Sequence, residues 1–138
     1  MRIGMFLPHL GVFGGVRRYL ELGNEWVALG HEVTLYHPAG TPSAWLPFAG
    51  RTAPLSQAAT EDTDLAVCGD SLSYAAFRAQ RSLHHLYYCV IEGDPGLRNA
   101  IADPTMLLMA NSGPLRARLA RRTRRPVLDG VGDRKSVV

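Results

Sequence analysis

Gly14–Tyr36 reads GGVRRYLELGNEWVALGHEVTLY, and its spacing decides the fold. From Val16 the apolar residues recur at Tyr19, Leu20, Trp26, Val27 and Leu29, with Gly23 on the same face. That is the period of a helix laid on a sheet. Gly30 stops the helix, because the position after a helix end favours a left-handed backbone that glycine adopts without steric cost. Glu32–Tyr36 then alternates and is rich in β-forming residues. Upstream, Arg2–Leu7 is a short apolar run ended by Pro8, which reads as a buried strand. Strand, glycine loop, helix, tight turn and strand make a βαβ unit with parallel strands and a right-handed crossover.

The pattern continues less regularly. Residues 37–50 contain three prolines and read as loop, with a weak edge strand at Arg51–Leu55. Strands follow at Asp64–Cys68, His85–Ile91, Thr105–Ala110 and Pro126–Leu128. Between them lie a helix capped by Ser71 and running to about Gln80, one opened by Asp94-Pro95, and one capped by Ser112 with Pro114 in its first turn. Such alternation predicts an α/β, Rossmann-like, doubly wound parallel sheet forming a single domain over residues 1–138.

Composition bounds the function. The chain is 46% apolar and 20% charged, without repeats or a bilayer-length apolar run. The apolar run at the N-terminus is too short for a signal-peptide core, so a cytoplasmic location is the default expectation. Cys68 and Cys89 each fall within a strand and read as buried thiols. His84 and His85 are adjacent strand residues on opposite faces, no zinc-type spacing occurs, and no metal site is expected. Six arginines crowd Arg116–Arg125. They alternate with Leu115, Leu119 and Ala120 at helical spacing, favour a helix C-terminus, and have no interleaved aromatics to stack bases. No nucleic-acid partner is expected.

In open parallel sheets ligands bind beyond the carboxyl ends of the strands, near the switch point of strand order. That rule selects Pro8–Gly15 (with His9 in it), His37, Gly69–Asp70, Glu92–Asp94 and Asn111–Ser112. Gly14-Gly15 lets a ligand approach the backbone at a helix start, where free N–H groups favour anions. Arg17 and Arg18 stand in that first turn, where cations are disfavoured unless an anionic ligand docks or both are simply solvated. The loop is neither G-x-G-x-x-G nor a Gly-Lys-Ser/Thr phosphate loop, and His37-Pro38 stands where a dehydrogenase carries an acid. Asp70 reads as a helix cap in preference to a substrate ligand.

Gly14-Gly15-Val16-Arg17-Arg18-Tyr19-Leu20 followed by Gly30-His31-Glu32-Val33 resembles the opening of family-four retaining glycosyltransferases of the GT-B architecture. Ala110-Asn111-Ser112 with Leu115–Leu119, and Pro126-Val127-Leu128-Asp129-Gly130-Val131, are similar to later segments of that family's N-terminal domain. The resemblance implies the acceptor-side half of a transferase that uses a nucleotide-sugar donor as substrate and needs no cofactor. It also implies that the C-terminal nucleotide-sugar domain is absent, so that these residues alone are expected to turn over negligibly. Substrate binding is expected at Gly14, Gly15, Arg17, Arg18, Glu92, Asn111 and Ser112. No catalytic residue is assigned, because Val90-Ile91-Glu92 stands where many members carry a histidine. The competing expectation is a non-catalytic Rossmann-like module binding an anionic ligand or a partner protein, with a homo-oligomer as one form of that partnership.

Overall fold

The computed structural model describes residues 1–11 and 14–129. The Gly130-Val131 end of the closing run lies outside them. Seven strands form one sheet: β1 Arg2–Phe6, β2 Glu32–His37, β3 Arg51–Pro54, β4 Thr63–Cys68, β5 Ser82–Cys89, β6 Leu107–Ala110 and β7 Leu128–Asp129. The helices are α1 Gly14–Ala28, α2 Tyr74–Ala79, α3 Pro95–Ala102 and α4 Gly113–Thr123, with a 3₁₀ helix at Leu55–Thr60. Every pairing is parallel, in the order β3-β2-β1-β4-β5-β6-β7. The chain thus winds outward from β1 to β3, returns to β4 on the other side of β1, and winds outward again. This is a Rossmann-like α/β fold.

Alternation along the strands sends side chains to two cores. On one face Ile3, Met5, Leu35, Val67 and Tyr88 pack under Tyr19, Leu20 and Trp26 of α1. On the other, Phe6, Tyr36, Cys68, Tyr87 and Cys89 meet Phe77 of α2, Leu97 of α3, and Leu115 and Leu119 of α4. Both cysteines are buried and free. Gly30 closes α1 at φ 94°, the left-handed conformation expected of it.

Gly23 has a packing reason. A Cβ there would lie 2.7 Å from the ring of Phe48, a residue of the loop between β2 and β3. Asn24 fastens the same loop, donating to Pro47 O (2.9 Å) and accepting from Ala49 N (2.7 Å). Trp45 Nε1 donates to Leu10 O at 2.9 Å. This proline-bearing loop replaces a helix in covering the edge of the α1 face.

Several boundaries differ from the sequence reading: β5 ends at Cys89 where Ile91 was expected, β6 starts at Leu107 where Thr105 was expected, and β7 spans Leu128–Asp129 where Pro126–Leu128 was expected. The helix expected from Ser71 begins at Tyr74, with Ser73 at the cap position and no side-chain cap bond. The cause is Asp70, whose Oδ2 accepts from Ser73 N at 2.7 Å and wraps Gly69–Ser73 into a turn. Strand β5 starts three residues early because Ser82 and His84 pair with Thr63 and Leu65 of β4. The sequence reading has no 3₁₀ helix here; Glu61, just after it, gathers Gln57 from within that turn together with Arg51 and the distant Tyr36.

Three of the six arginines of the arginine-rich segment are engaged within the chain. Arg116 Nε donates to Val127 O (2.7 Å), and Arg118 pairs with Glu92 (3.0 Å). Arg125 spreads its guanidinium over the carbonyls of Asp103, Met106, Ala100 and Ile101. Among the described residues, no helix is long and apolar enough to cross a membrane.

Candidate functional site

Between β1 and β4 the order of winding reverses, and a cleft of about 310 Å³ opens beyond the carboxyl ends of these strands. Pro8 and His9 line it from the end of β1, and Gly15, Val16 and Tyr19 from the first turns of α1. Gly69, Asp70 and Leu72 follow β4, and Ile91 and Asp94 follow β5. The strand ends place these groups together because each strand stops at the same level of the sheet.

The wall at β4 is tight. A Cβ on Gly69 would lie 2.2 Å from Tyr88 O and 2.4 Å from Tyr19 Oη, so only glycine fits. Tyr19 is 2% exposed, and its hydroxyl has no hydrogen-bond partner. Burial, joined by the neighbouring Cys68 and Asp70, pushes the phenol well above its ordinary range. Tyr87 Oη and Ser73 Oγ are also buried without partners. Tyr87 approaches the same turn from the opposite face of the sheet, 3.0 Å from where a Gly96 Cβ would lie beside the Asp70 backbone. Three unsatisfied hydroxyls therefore surround the β4–α2 turn, where most buried polar atoms of a folded protein find partners.

Two carboxylates line the cleft. Asp70 spends Oδ2 on Ser73 N, and Asp94 spends Oδ1 on Gly96 N (2.9 Å) as the cap of α3. Burial raises the pKa of Asp70, Ser73 opposes it by hydrogen bonding, and the charge of Asp94 raises it further. Leu72 and Ile91 stand at the rim, 81% and 66% exposed. His9 Nδ1 accepts from Gly11 N (2.9 Å). His37 is buried and donates through Nε2 to Thr41 O (2.7 Å), away from the cleft lining.

Of the residues expected to bind substrate, Gly15 lies in the cleft wall, and Gly14 is the first residue of α1. The rest are not among its lining. Arg17 Nε donates to Glu21 Oε1 at 2.6 Å with its side chain 65% exposed, and Arg18 is also exposed. An exposed cation with a partner on its own helix needs no ligand to be tolerated in the first turn. Glu92 turns to Arg118 on α4. Ser112 Oγ accepts from Leu115 N (3.2 Å), capping α4, and Asn111 N donates to Cys89 O (3.3 Å). Among the described residues no lysine or arginine lines the cleft, and two aspartates do.

No protein-family model, curated protein or solved structure matches the chain. Among the described residues, no three His, Cys, Asp or Glu side chains gather as a metal site.

A larger hollow, about 650 Å³, lies at the amino ends of β1 and β2. Its polar centre is already satisfied, since Tyr36, Arg51 and Gln57 all donate to Glu61. The cleft at the switch point keeps unspent hydrogen-bonding capacity in its two aspartates. Tyr19, Leu72 and Ile91 escaped the sequence reading, whereas Asp94 falls within the Glu92–Asp94 stretch that the strand-end rule selects.

Proposed function

We propose that the chain is the acceptor-side, N-terminal half of a GT-B-like retaining glycosyltransferase, completed by a second domain that supplies most contacts to the nucleotide sugar. The observation that carries this reading is the cleft at the β1/β4 switch point, with the glycine start of α1 in its wall. Retaining transfer needs the anomeric carbon, the leaving phosphate and the acceptor hydroxyl held in one closed cleft, and positioning supplies much of the rate. The start of α1 presents free N–H groups for a donor phosphate at the cleft edge, while Asp70 and Asp94 offer acceptors to sugar hydroxyls. The exposed Leu72 and Ile91 form an apolar rim of the kind a closing domain covers.

The test is a titration of the chain with UDP-glucose, GDP-mannose and free UDP, followed by amide chemical shifts. Binding that moves Gly15, Val16, Gly69 and Ile91 supports the reading. Shifts confined to the hollow around Arg51 and Glu61, or none at all, would count against it. Sugar transfer is expected only when a nucleotide-sugar domain is joined or added. The apolar rim equally favours the second reading, a non-catalytic module on which a partner protein closes; this is distinguished by partner binding that leaves the chain indifferent to nucleotide sugars.

A further inference from the structure

The switch-point cleft carries unpaired negative charge. Among the described residues Asp70 and Asp94 both line it, neither forms an ion pair, and no lysine or arginine lies in the lining. Each carboxylate keeps an oxygen beyond its helix-entry bond, and Asp70 Oδ1 accepts from the Cys68 thiol at 3.7 Å. An independent sign of a missing polar partner stands in the same wall. Tyr19, almost wholly buried, rests its unpartnered hydroxyl against Gly69. Two like charges held around one cleft repel, and a cation between them removes that repulsion while satisfying the spare oxygens.

We propose that the cleft takes an amine-bearing, hydroxylated ring, an amino sugar or aminocyclitol, with its ammonium group bridging Asp70 and Asp94 and its apolar face against Leu72 and Ile91. The inference deepens the acceptor-side reading and rests on it for the word acceptor. The binding itself stands without that reading. Phosphate-bearing or carboxylate-bearing acceptors are disfavoured at this position by the same two charges.

The experiment compares glucosamine, glucose and N-acetylglucosamine, three versions of one ring with a charged amine, a hydroxyl and a neutral amide. Just below neutral pH, glucosamine is expected to move the amides of Gly69–Ser71 and Ile91–Asp94. The other two sugars are expected to bind about tenfold more weakly or worse. Added salt is expected to weaken glucosamine alone. Asp70→Asn and Asp94→Asn keep an oxygen for Ser73 N and Gly96 N, so the turns survive, and each is expected to cost glucosamine about tenfold in affinity. Equal binding of the three sugars, no binding of glucosamine, or glucosamine binding unchanged by salt and by both variants overturns the proposal. Should either variant fail to fold, the sugar comparison and the salt dependence decide on the native chain. A chain that binds glucosamine but no nucleotide sugar keeps this inference and loses the transferase reading; the opposite pattern does the reverse.

Discussion

Gly69→Ala tests the packing that builds the cleft wall. The added methyl carbon would stand 2.2 Å from Tyr88 O and 2.4 Å from Tyr19 Oη, each about 1 Å inside an ordinary contact. Tyr88 O is backbone of β5, next to β4 in the sheet, and cannot swing away as a side chain can. Overpacking a well-ordered core costs typically 1–3 kcal/mol, and a backbone obstacle places this substitution at about 3 kcal/mol. For 138 residues the unfolding entropy is roughly 0.3 kcal/mol/K, so the melting temperature is expected to fall by about 10 °C. Tyr19→Phe separates the two obstacles. Alone it removes a buried hydroxyl without a partner, and is expected to be neutral or stabilising by up to about 1 kcal/mol. Added to Gly69→Ala it should recover less than half of the loss, because the Tyr88 carbonyl remains. Denaturant unfolding followed by circular dichroism measures all three variants. A Gly69→Ala protein within about 1 kcal/mol of the parent, or full recovery in the double variant, refutes the reasoning.

Other expectations follow from contacts already described. Arg125→Ala leaves the carbonyls of Ala100, Ile101, Asp103 and Met106 without their cation and should cost about 2 kcal/mol; Arg125→Lys should recover only part, since an ammonium lacks the planar fork. For Glu61, burial works to raise the pKa, but bonds from Arg51, Tyr36 and Gln57 outweigh it and hold the carboxyl at about 2, against an ordinary 4.5. A depressed carboxyl stabilises the fold above its unfolded value and loses that contribution as pH falls from about 4.5 towards 2. Screened by solvent, this should amount to about 1 kcal/mol, and Glu61→Gln should flatten that part of the acid-unfolding curve. Ser112→Ala should cost about 1 kcal/mol by uncapping α4 while leaving nucleotide-sugar binding unchanged, and a binding loss without a stability loss would return Ser112 to the site.

The sheet was legible because its signals are local. Apolar spacing from Val16 to Leu29, the stop at Gly30 and the Asp94-Pro95 entry each need only a few neighbouring residues, and each recurs in the structure. The site was less legible because its charges are settled by partners far along the chain. Glu92 looked like a cleft acid until Arg118, 26 residues later, claimed it. The arginines at the start of α1 suggested an anion, whereas Arg17 takes Glu21 one turn on. Nothing near Tyr19 in sequence shows that its hydroxyl ends beneath Gly69, fifty residues away, without an acceptor. Patterns that repeat with a helix or strand period reveal burial; they do not reveal which polar atom is left over after folding.

The outermost strand β3 has a consequence for self-association. It is four residues long, begins with an exposed arginine and ends in a proline that has no N–H to offer. The chain then coils at once into the 3₁₀ helix, tied back by Glu61. A second molecule seeking to prolong the sheet on that flank would find few vacant amides and a positive charge to displace. This border of the molecule is built to refuse strand-by-strand growth.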